Sequence, residues 1–287
     1  MPETKRFQNL LELNISLILI STSGPLGRYI DLPVPVTIAF RALIGGMLIY
    51  LFCRWKRYDF KVKKKDRSLL LAGGLLMLMH WLTYFYALKL SNVSIGMLSL
   101  FTFPVITALL EPVLLKTKFQ LIHLILGGLV ILGIYFLVPE FDINNNNTKA
   151  LGFGVFSAVC YALRNIIMKS KVSEYNGSVL MLYQLMIISI VLFPSFFILD
   201  TSKIAAELPA ALVLALLTTA LGHTMFLYSF KHFSTTSVSI MSSVQPIYGI
   251  LLGMLFLNEN PDQSAVLGGA LILTSVVVES MRTKYFN

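Results

Sequence analysis

The chain has 287 residues, of which 56% are hydrophobic and only 13% are charged, whereas a soluble domain carries about 25% charged residues. A water-soluble protein of this length could not bury so much apolar surface, so the composition excludes one. The net charge of +9 is spread over short loops between apolar runs, which is typical of charges that orient membrane segments and argues against a nucleic-acid partner.

Apolar runs of about 18 to 23 residues recur along the chain, and each can cross about 30 Å of hydrocarbon as a helix. The prolines Pro33, Pro35, Pro209 and Pro261 lie at or near the expected helix starts, where a missing N–H costs little. The pattern predicts an all-α, polytopic membrane protein. Its ten predicted helices cover residues 10–30, 33–53, 68–89, 93–115, 120–138, 150–168, 178–199, 208–230, 234–257 and 264–281.

Two smaller features of the apolar runs fit this interpretation. The N-terminal run follows basic residues, as in a signal peptide, but Glu12 and Asn14 interrupt it and no small-residue cleavage site follows, so it is expected to be the first transmembrane helix. Cys53 and Cys160 lie in different runs and are expected to be small packing residues rather than a disulfide.

Every second loop between the predicted helices is rich in lysine and arginine. One face, named here the basic face, would carry seventeen of them, including the cluster from Arg54 to Arg67, and the opposite face only four. This asymmetry predicts that both termini are cytoplasmic, in the plasma or cell inner membrane.

The two halves of the chain repeat each other at a spacing of 142 residues. Tyr86 and Lys89 recur as Tyr228 and Lys231, and Pro104, expected inside the fourth helix, recurs as Pro246. After a slip of one residue, the pair at 127–128 recurs as the glycines at 268–269. Five helices per half is an odd number, so the second half would enter the membrane inverted, an architecture of secondary transporters.

Several of the repeated stretches carry a family resemblance. The run FYALKLSNVSIGMLSLFTFPVITALL, the Glu259 of FLNEN, the following GGALIL, and AFRALIGG in the second helix resemble the EamA domains of the drug/metabolite transporter superfamily. Two such domains, 1–140 and 149–287, would fill nearly the whole chain. Family members often have a glutamate after the fourth helix as well, but Thr117 stands opposite Glu259 here.

The resemblance implies a transporter whose cavity is lined chiefly by predicted helices 1, 3, 4, 6, 8 and 9. It also implies export of small metabolites, amino acids or related amphipathic compounds without ATP, and no cofactor.

Ionisable residues deep in the predicted helices are candidate functional groups because they are costly in a bilayer. His80 and His223 lie near the centres of predicted helices 3 and 8, where each is either a proton or substrate contact or a neutral histidine bonded between helices. For Arg41 a structural role, a snorkelling role or a place at a lipid-facing edge is favoured over a place in the cavity. Arg164 either reaches the cytoplasmic headgroups or shares a small polar face with Tyr161 and lines the cavity.

Other candidates come from polar and aromatic side chains beside the repeated prolines. The stripe of small residues in predicted helix 9 is typical of close helix packing, with a polar cavity wall as the alternative. A mid-membrane site between the repeats would combine aromatic groups for the apolar part of a substrate with hydrogen-bonding groups for its polar part. The predicted substrate-binding residues are His80, Trp81, Tyr84, Ser99, Tyr161, Arg164, His223, Ser242 and Gln245.

The sequence has no phosphate-binding loop, no HExxH and no GxSxG, so an enzyme, a cofactor or a bound metal has little support. The leading hypothesis is a secondary exporter of a small amphipathic metabolite, with protons as the candidate coupling ion. One alternative is a transporter of phosphorylated or nucleotide-linked metabolites, which would need several basic residues on the cavity faces. Another is a membrane ligand sensor, which has no need of an inverted repeat.

Overall fold

The computed structural model describes residues 3–116, 121–137 and 142–286, and the described residues form helices and turns without strands. Thr117 and Glu140, on which two of the sequence interpretations depend, lie outside these residues. In chain order the helices are α1 (Glu3–Ser21), α2 (Ser23–Tyr29), α3 (Val34–Trp55), α4 (Arg67–Leu90), α5 (Val93–Leu100), α6 (Phe103–Leu115), α7 (Ile122–Leu137), α8 (Asn146–Lys169), α9 (Gly177–Leu192), α10 (Ser195–Ile198), α11 (Ile204–Val213), α12 (Thr224–Ser229), α13 (Thr235–Met241), α14 (Gln245–Leu257) and α15 (Gln263–Phe286).

Seven helical stretches in the described residues are long and apolar enough to span a membrane. Three shorter apolar helices, Ile125–Leu137, Ser242–Leu257 and Gln263–Ser275, accompany them. The outer surface carries large hydrophobic side chains, such as Leu255 and Phe256, which are about three-quarters exposed. An apolar exterior over helices whose backbone groups bond internally identifies an integral membrane protein, and the prediction of an all-helical membrane fold is confirmed.

Predicted helices 4 and 9 are interrupted rather than continuous. The α-helical pattern breaks between α5 and α6 at Phe101 and Thr102, and a short 3₁₀ turn, Ser242–Val244, separates α13 from α14. Pro104 and Pro246 therefore lie in the first turn of a new segment, where their missing N–H leaves no intrahelical bond unmade. Pro104 thus lies within the apolar stretch Val93–Leu114, as expected, but just after a two-residue break in its helical pattern.

Two other helices start earlier than expected. The amide oxygen of Asn145 accepts a hydrogen bond from the backbone N–H of Asn147 at 2.8 Å, and this cap starts α8 at Asn146 instead of residue 150. The eighth span begins with α11 at Ile204, so Pro209 lies inside that helix rather than at its start.

A π-helical segment, Leu214–His223, continues α11 into α12. Its wider turns are an uncommon geometry that is frequent at functional sites. Two of its threonines contact neighbouring segments. The hydroxyl of Thr218 lies 3.1 Å from that of Thr22, between α1 and α2, and the hydroxyl of Thr219 accepts a hydrogen bond from Arg41 of α3.

The central helices of the fold are α4 and α8, which pack along each other. They are flanked by α9 on one side and by α5 and α6 on another. The helix α3 packs on α9 and on the π-helical segment, whereas α7 and α15 form a separate pair at the side. This arrangement surrounds the middle of α4 with segments from both halves of the chain.

Candidate functional site

A small cavity lies where α4, α8, the π-helical segment and α14 meet. Its volume is about 20 Å³, and the side chains that line it are buried. Ser23 at the start of α2 and apolar side chains of α1, α5 and the turn after α5 complete the lining. Six of the predicted substrate-binding residues line it: His80, Trp81, Tyr84, Tyr161, His223 and Gln245.

Stacked rings form one wall of the cavity. The ring centres of His80 and Tyr161 are 4.3 Å apart with an angle of 21° between the rings, and Tyr84 stacks on His80 at 6.1 Å. Phe103 meets Tyr161 edge-on at 4.9 Å. Such packed aromatic faces suit the apolar part of a small ligand.

His80 is bonded between helices. Its Nδ1 lies 2.7 Å from the hydroxyl oxygen of Ser157, and the same hydroxyl donates to the backbone carbonyl of His80 at 2.9 Å. Because a serine hydroxyl has one hydrogen, both contacts are satisfied when Nδ1 carries the hydrogen and donates to Ser157. These bonds match the interpretation of His80 as an interhelical contact, and His80 also lines the cavity.

Trp81 and His223 form the other wall of the cavity, and the guanidinium of Arg41 lies behind that wall. The guanidinium carbon of Arg41 is 3.8 Å from the centre of the Trp81 ring, and the ring centres of Trp81 and His223 are 5.5 Å apart. Arg41 is fully buried and donates through Nε to Thr219 at 2.9 Å. The expectation of a snorkelling or lipid-facing Arg41 was therefore wrong, because α3 turns this residue toward the π-helical segment.

Arg164 is also buried, but its guanidinium is engaged elsewhere. It donates to Gln184 at 2.7 Å and to Asn165 at 2.9 Å, and it contacts the sulfur of Met181 at 3.7 Å. The headgroup interpretation of Arg164 is excluded by this burial, and its side chain is not part of the cavity wall.

The two predicted serines do not line the cavity either. The hydroxyl of Ser99 donates to the carbonyl of Ile95 at 2.6 Å, and that of Ser242 donates to the carbonyl of Val238 at 2.7 Å. Each serine bonds the preceding turn of its own helix, a common alternative to an outward contact. Ser99 also packs directly against Gly154 of α8.

Polar contacts around Arg28 and Lys89 join several helix ends. Arg28 donates through Nε to Glu259 at 2.8 Å, and the same carboxylate accepts from the backbone N–H of Val93. The Lys89 ammonium donates to the backbone carbonyls of Arg28 and Ile30. These contacts join the ends of α2, α4 and α14 and the start of α5.

A second network joins the loop before α4 to the loop between α8 and α9. Lys171 pairs with Asp66 at 2.8 Å and Lys63 with Glu174 at 2.8 Å, while the Tyr175 hydroxyl donates to Asp66. The hydrogen bond from Lys63 lowers the pKa of Glu174, and the bond to Asp66 raises the pKa of Tyr175. A lowered carboxyl pKa means that this pairing contributes at neutral pH and is lost only when acidification reaches the lowered value.

Metal and disulfide chemistry find no support among the described side chains. They contain no group of three or more metal-ligating histidines, cysteines or carboxylates, and Cys53 and Cys160 are free and buried.

Sequence reasoning missed the roles of two residues that the structure makes prominent. Arg41 could have been found by the rule that selected His80, because both are ionisable and lie well inside a predicted span. Glu259 was noticed as a family feature, but no periodicity indicates that it would pair with Arg28, which lies 231 residues away.

A buried aromatic cavity inside a polytopic helical membrane protein is typical of membrane transporters that bind small molecules. The sequence profile of the EamA-like transporter family matches residues 11–138 and 148–281, and the chain belongs to this family. It is a transporter of small molecules rather than an enzyme.

Three similar proteins have curated names. The pseudopaline exporter CntI of Pseudomonas aeruginosa is 25% identical over 257 residues, which cover 88% of each chain. An uncharacterized transporter of Archaeoglobus fulgidus is 26% identical, covering 85% of this chain and 86% of its own. The uncharacterized transporter YwfM of Bacillus subtilis is 25% identical, covering 84% and 82%.

A similar fold is also present among solved structures. One crystal structure covers 96% of this chain with a TM-score of 0.74 at 15% identity, and 99% of that chain is matched. At this identity the likeness concerns the fold alone.

Proposed function

We propose that the protein is a secondary transporter that exports a small amphipathic metabolite, such as an amino acid or a related compound, by alternating access. The observation that carries the proposal is the small, buried aromatic cavity, with polar networks joining helix ends on either side of it in the predicted topology. The likeness to a pseudopaline exporter supports export as the direction.

The size of the cavity supports an occluded state. Ligand pockets usually measure roughly 300–1,000 Å³, whereas this cavity measures about 20 Å³. The helices must therefore separate before a metabolite can enter, and a transporter that works by alternating access passes through such a closed state.

We further propose ten membrane crossings in two inverted repeats, 1–140 and 149–287. The helix bounds support this proposal, since α6 and α14 begin and end 142 residues apart. Both also end in a left-handed residue, Lys116 with φ 55° and Asn258 with φ 54°. With five helices in each half, the second half would be inverted.

The long-range ion pairs support the same alternation of loops. Arg28 and Glu259 are predicted on the face opposite the basic one, and they pair with each other. Lys63 and Glu174 are predicted on the basic face, and they also pair with each other. Both pairs connect residues more than 100 positions apart, so the agreement is not a result of local sequence.

Cysteine labelling tests the proposed orientation, with both termini in the cytoplasm of a cell inner membrane. Cys53 and Cys160 are buried and are first replaced by alanine. A membrane-impermeant maleimide should then label Asn145→Cys in intact cells, because that residue lies in the connection between the halves. It should label Lys63→Cys only after permeabilisation, and the reverse pattern would contradict both orientation and inversion.

We propose that a substrate contacts the six predicted residues that line the cavity, with the stacked rings holding its apolar part and Gln245 bonding its polar part. Ser99, Arg164 and Ser242 remain predictions for a wider state of the cavity, since their polar groups are bonded elsewhere in the closed one.

Counterflow in proteoliposomes tests the transport proposal. Liposomes loaded with unlabelled metabolites should accumulate the labelled form of a true substrate without ATP, both with and without a pH gradient. Uptake equal to that of protein-free liposomes across a panel of amino acids and related compounds would oppose this proposal and favour a ligand sensor.

The same assay tests protons as the coupling ion. Imidazole titrates near neutral pH, and His80 lies at mid-depth beside the cavity, so His80→Gln is expected to flatten the pH profile of transport. His232→Gln, which removes a histidine outside the cavity, should leave the profile as in the wild type. Identical profiles for wild type and His80→Gln would show that His80 is only structural.

A further inference from the structure

Three buried nitrogen atoms beside the cavity have no hydrogen-bond partner: Nη2 of Arg41, Nε1 of Trp81 and Nδ1 of His223. Their side chains are 0%, 1% and 3% exposed. A buried polar atom without a partner costs about 1–3 kcal/mol, and more if it is charged, so such atoms are rare in a settled core. These three belong to side chains in contact with each other, and the hydroxyl of Tyr84, which lines the same cavity, also has no partner, so a ligand there could supply the missing hydrogen bonds.

The three groups are direct neighbours. The Arg41 guanidinium lies against the face of Trp81, and Trp81 packs against His223. The bond from Nε to Thr219 fixes the guanidinium and leaves Nη2 free. A hydrogen bond to oxygen spans about 2.9 Å, so one group with two acceptor oxygens could be reached by donors of neighbouring side chains.

The charge around these atoms is positive and uncompensated by the protein. Asp66 is the one acidic side chain that is buried among those described, and it lies in the network at the basic face. None of the ion pairs between described side chains includes Arg41. A buried charge is normally paired, and an anionic ligand would supply the missing partner.

We propose that Arg41, Trp81 and His223 form an anion site that receives a carboxylate of the transported metabolite. This inference rests on the proposed transport function and names the class of its substrate. The other buried arginine, Arg164, is less suited to this role, because its guanidinium already donates to Gln184 and Asn165.

The donor set fits a carboxylate better than a phosphate. A carboxylate has one negative charge and two oxygens, which a single guanidinium and one or two neutral N–H donors can satisfy. The doubly charged phosphate group would leave a charge uncompensated, because no lysine or arginine lines the cavity and Arg41, behind Trp81, supplies one positive charge. The apolar part of the metabolite would lie toward the stacked rings of His80 and Tyr161.

Trp81 can report on its own site. The chain has two tryptophans, and Trp55 is 74% exposed at the end of α3, so Trp55→Phe leaves Trp81 as the single emitter. The purified variant is titrated with 3-phenylpropionate and with its uncharged amide, 3-phenylpropanamide, which have nearly the same shape. The acid is expected to change Trp81 emission with an affinity about 10- to 100-fold above that of the amide.

Arginine substitutions in the Trp55→Phe protein test which side chain causes the preference for the acid. Arg41→Gln should remove this preference and leave the affinity for the amide unchanged, and Arg41→Lys should restore part of the preference. Arg54→Gln, which removes an exposed arginine from the same helix, should keep the ratio of the two affinities. If Arg41→Gln does not fold, the ratio measured for the Trp55→Phe protein and for Arg41→Lys decides the question.

Four results would overturn the anion site: equal or tighter binding of the amide, a preference that survives Arg41→Gln, the same emission change with chloride alone, or no response to either compound. Counterflow separates these results from failure of the transport proposal. A protein that exchanges an uncharged metabolite and ignores carboxylates is still a transporter, but it has no anion site of this kind.

Discussion

Cross-linking cysteines placed at Arg28 and Glu259 is expected to reduce substrate counterflow to the level of protein-free liposomes. The two native side chains meet at 2.8 Å and join the end of α2 to the loop after α14. Alternating access requires this face to open, so a short bismaleimide that ties the two positions should trap the closed state. The variant is made without Cys53 and Cys160, and transport is measured before and after cross-linking.

A second pair of cysteines tests the predicted basic face of the protein. Cysteines at Lys63 and Glu174 replace a contact of the same length, and cross-linking them should also stop transport. Each single-cysteine variant treated with the same reagent controls for simple modification and should keep the rate of its untreated form. Normal transport by either cross-linked protein would contradict alternate opening of the two faces.

Gly268→Ala is expected to destabilise the protein by about 1–3 kcal/mol, a typical result of overpacking a tight contact. A Cβ atom at this position would lie 2.6 Å from the backbone oxygen of Gly133 and 3.0 Å from the backbone nitrogen of Leu137. Backbone atoms cannot rotate away, so α7 and α15 would have to separate. A thiol-reactive dye that reports exposure of the two buried cysteines should show a lower Tm.

Gly127→Ala is the control, and its expected effect has the opposite sign. Gly127 lies on α7 as Gly133 does, but a Cβ atom there would meet nothing within 4 Å. Alanine in a helix interior is favoured over glycine by roughly 0.5–1 kcal/mol. The Tm should therefore stay the same or rise, and a fall equal to that of Gly268→Ala would mean that the contact between α7 and α15 is not the cause.

These glycines also show what the repeat in the sequence could not predict. The pair at 127–128 matches the pair at 268–269 in the alignment of the halves, which implies equivalent surroundings. In the structure, the first pair meets open space, whereas Gly268 meets a neighbouring backbone and Gly269 meets Leu98. A repeated residue thus predicts a repeated helix position, but the neighbours depend on which copy of each helix packs beside it.

The sequence predicted those site residues that could be recognised by their depth inside a helix. His80, Trp81 and His223 lie far from the ends of apolar runs, and the structure brings them together at one cavity. The orientation of hydroxyl groups was not predictable, because Ser99 and Ser242 can bond either outward or to their own helix.

Arg41 was misjudged for a different reason. Its burial depends on contact between α3 and the π-helical segment, and neither the helix type nor that contact is written in the hydrophobic pattern. The ion pair between Arg28 and Glu259 is likewise a product of how the helix ends converge, rather than of any local spacing.

The 3₁₀ turn at Ser242–Val244 divides predicted helix 9 into α13 and α14. Glu259 lies two residues after the end of α14. With 13 residues, α14 is about 20 Å long at 1.5 Å per residue. A tilt of α14 by only about 10° at the 3₁₀ turn would move its C-terminal end by about 3 Å. Helices bend most easily where such a break removes backbone hydrogen bonds. That displacement is comparable to the 2.8 Å contact between Arg28 and Glu259. A slight bend beside Gln245, which lines the cavity, would therefore be enough to break the contact between Arg28 and Glu259.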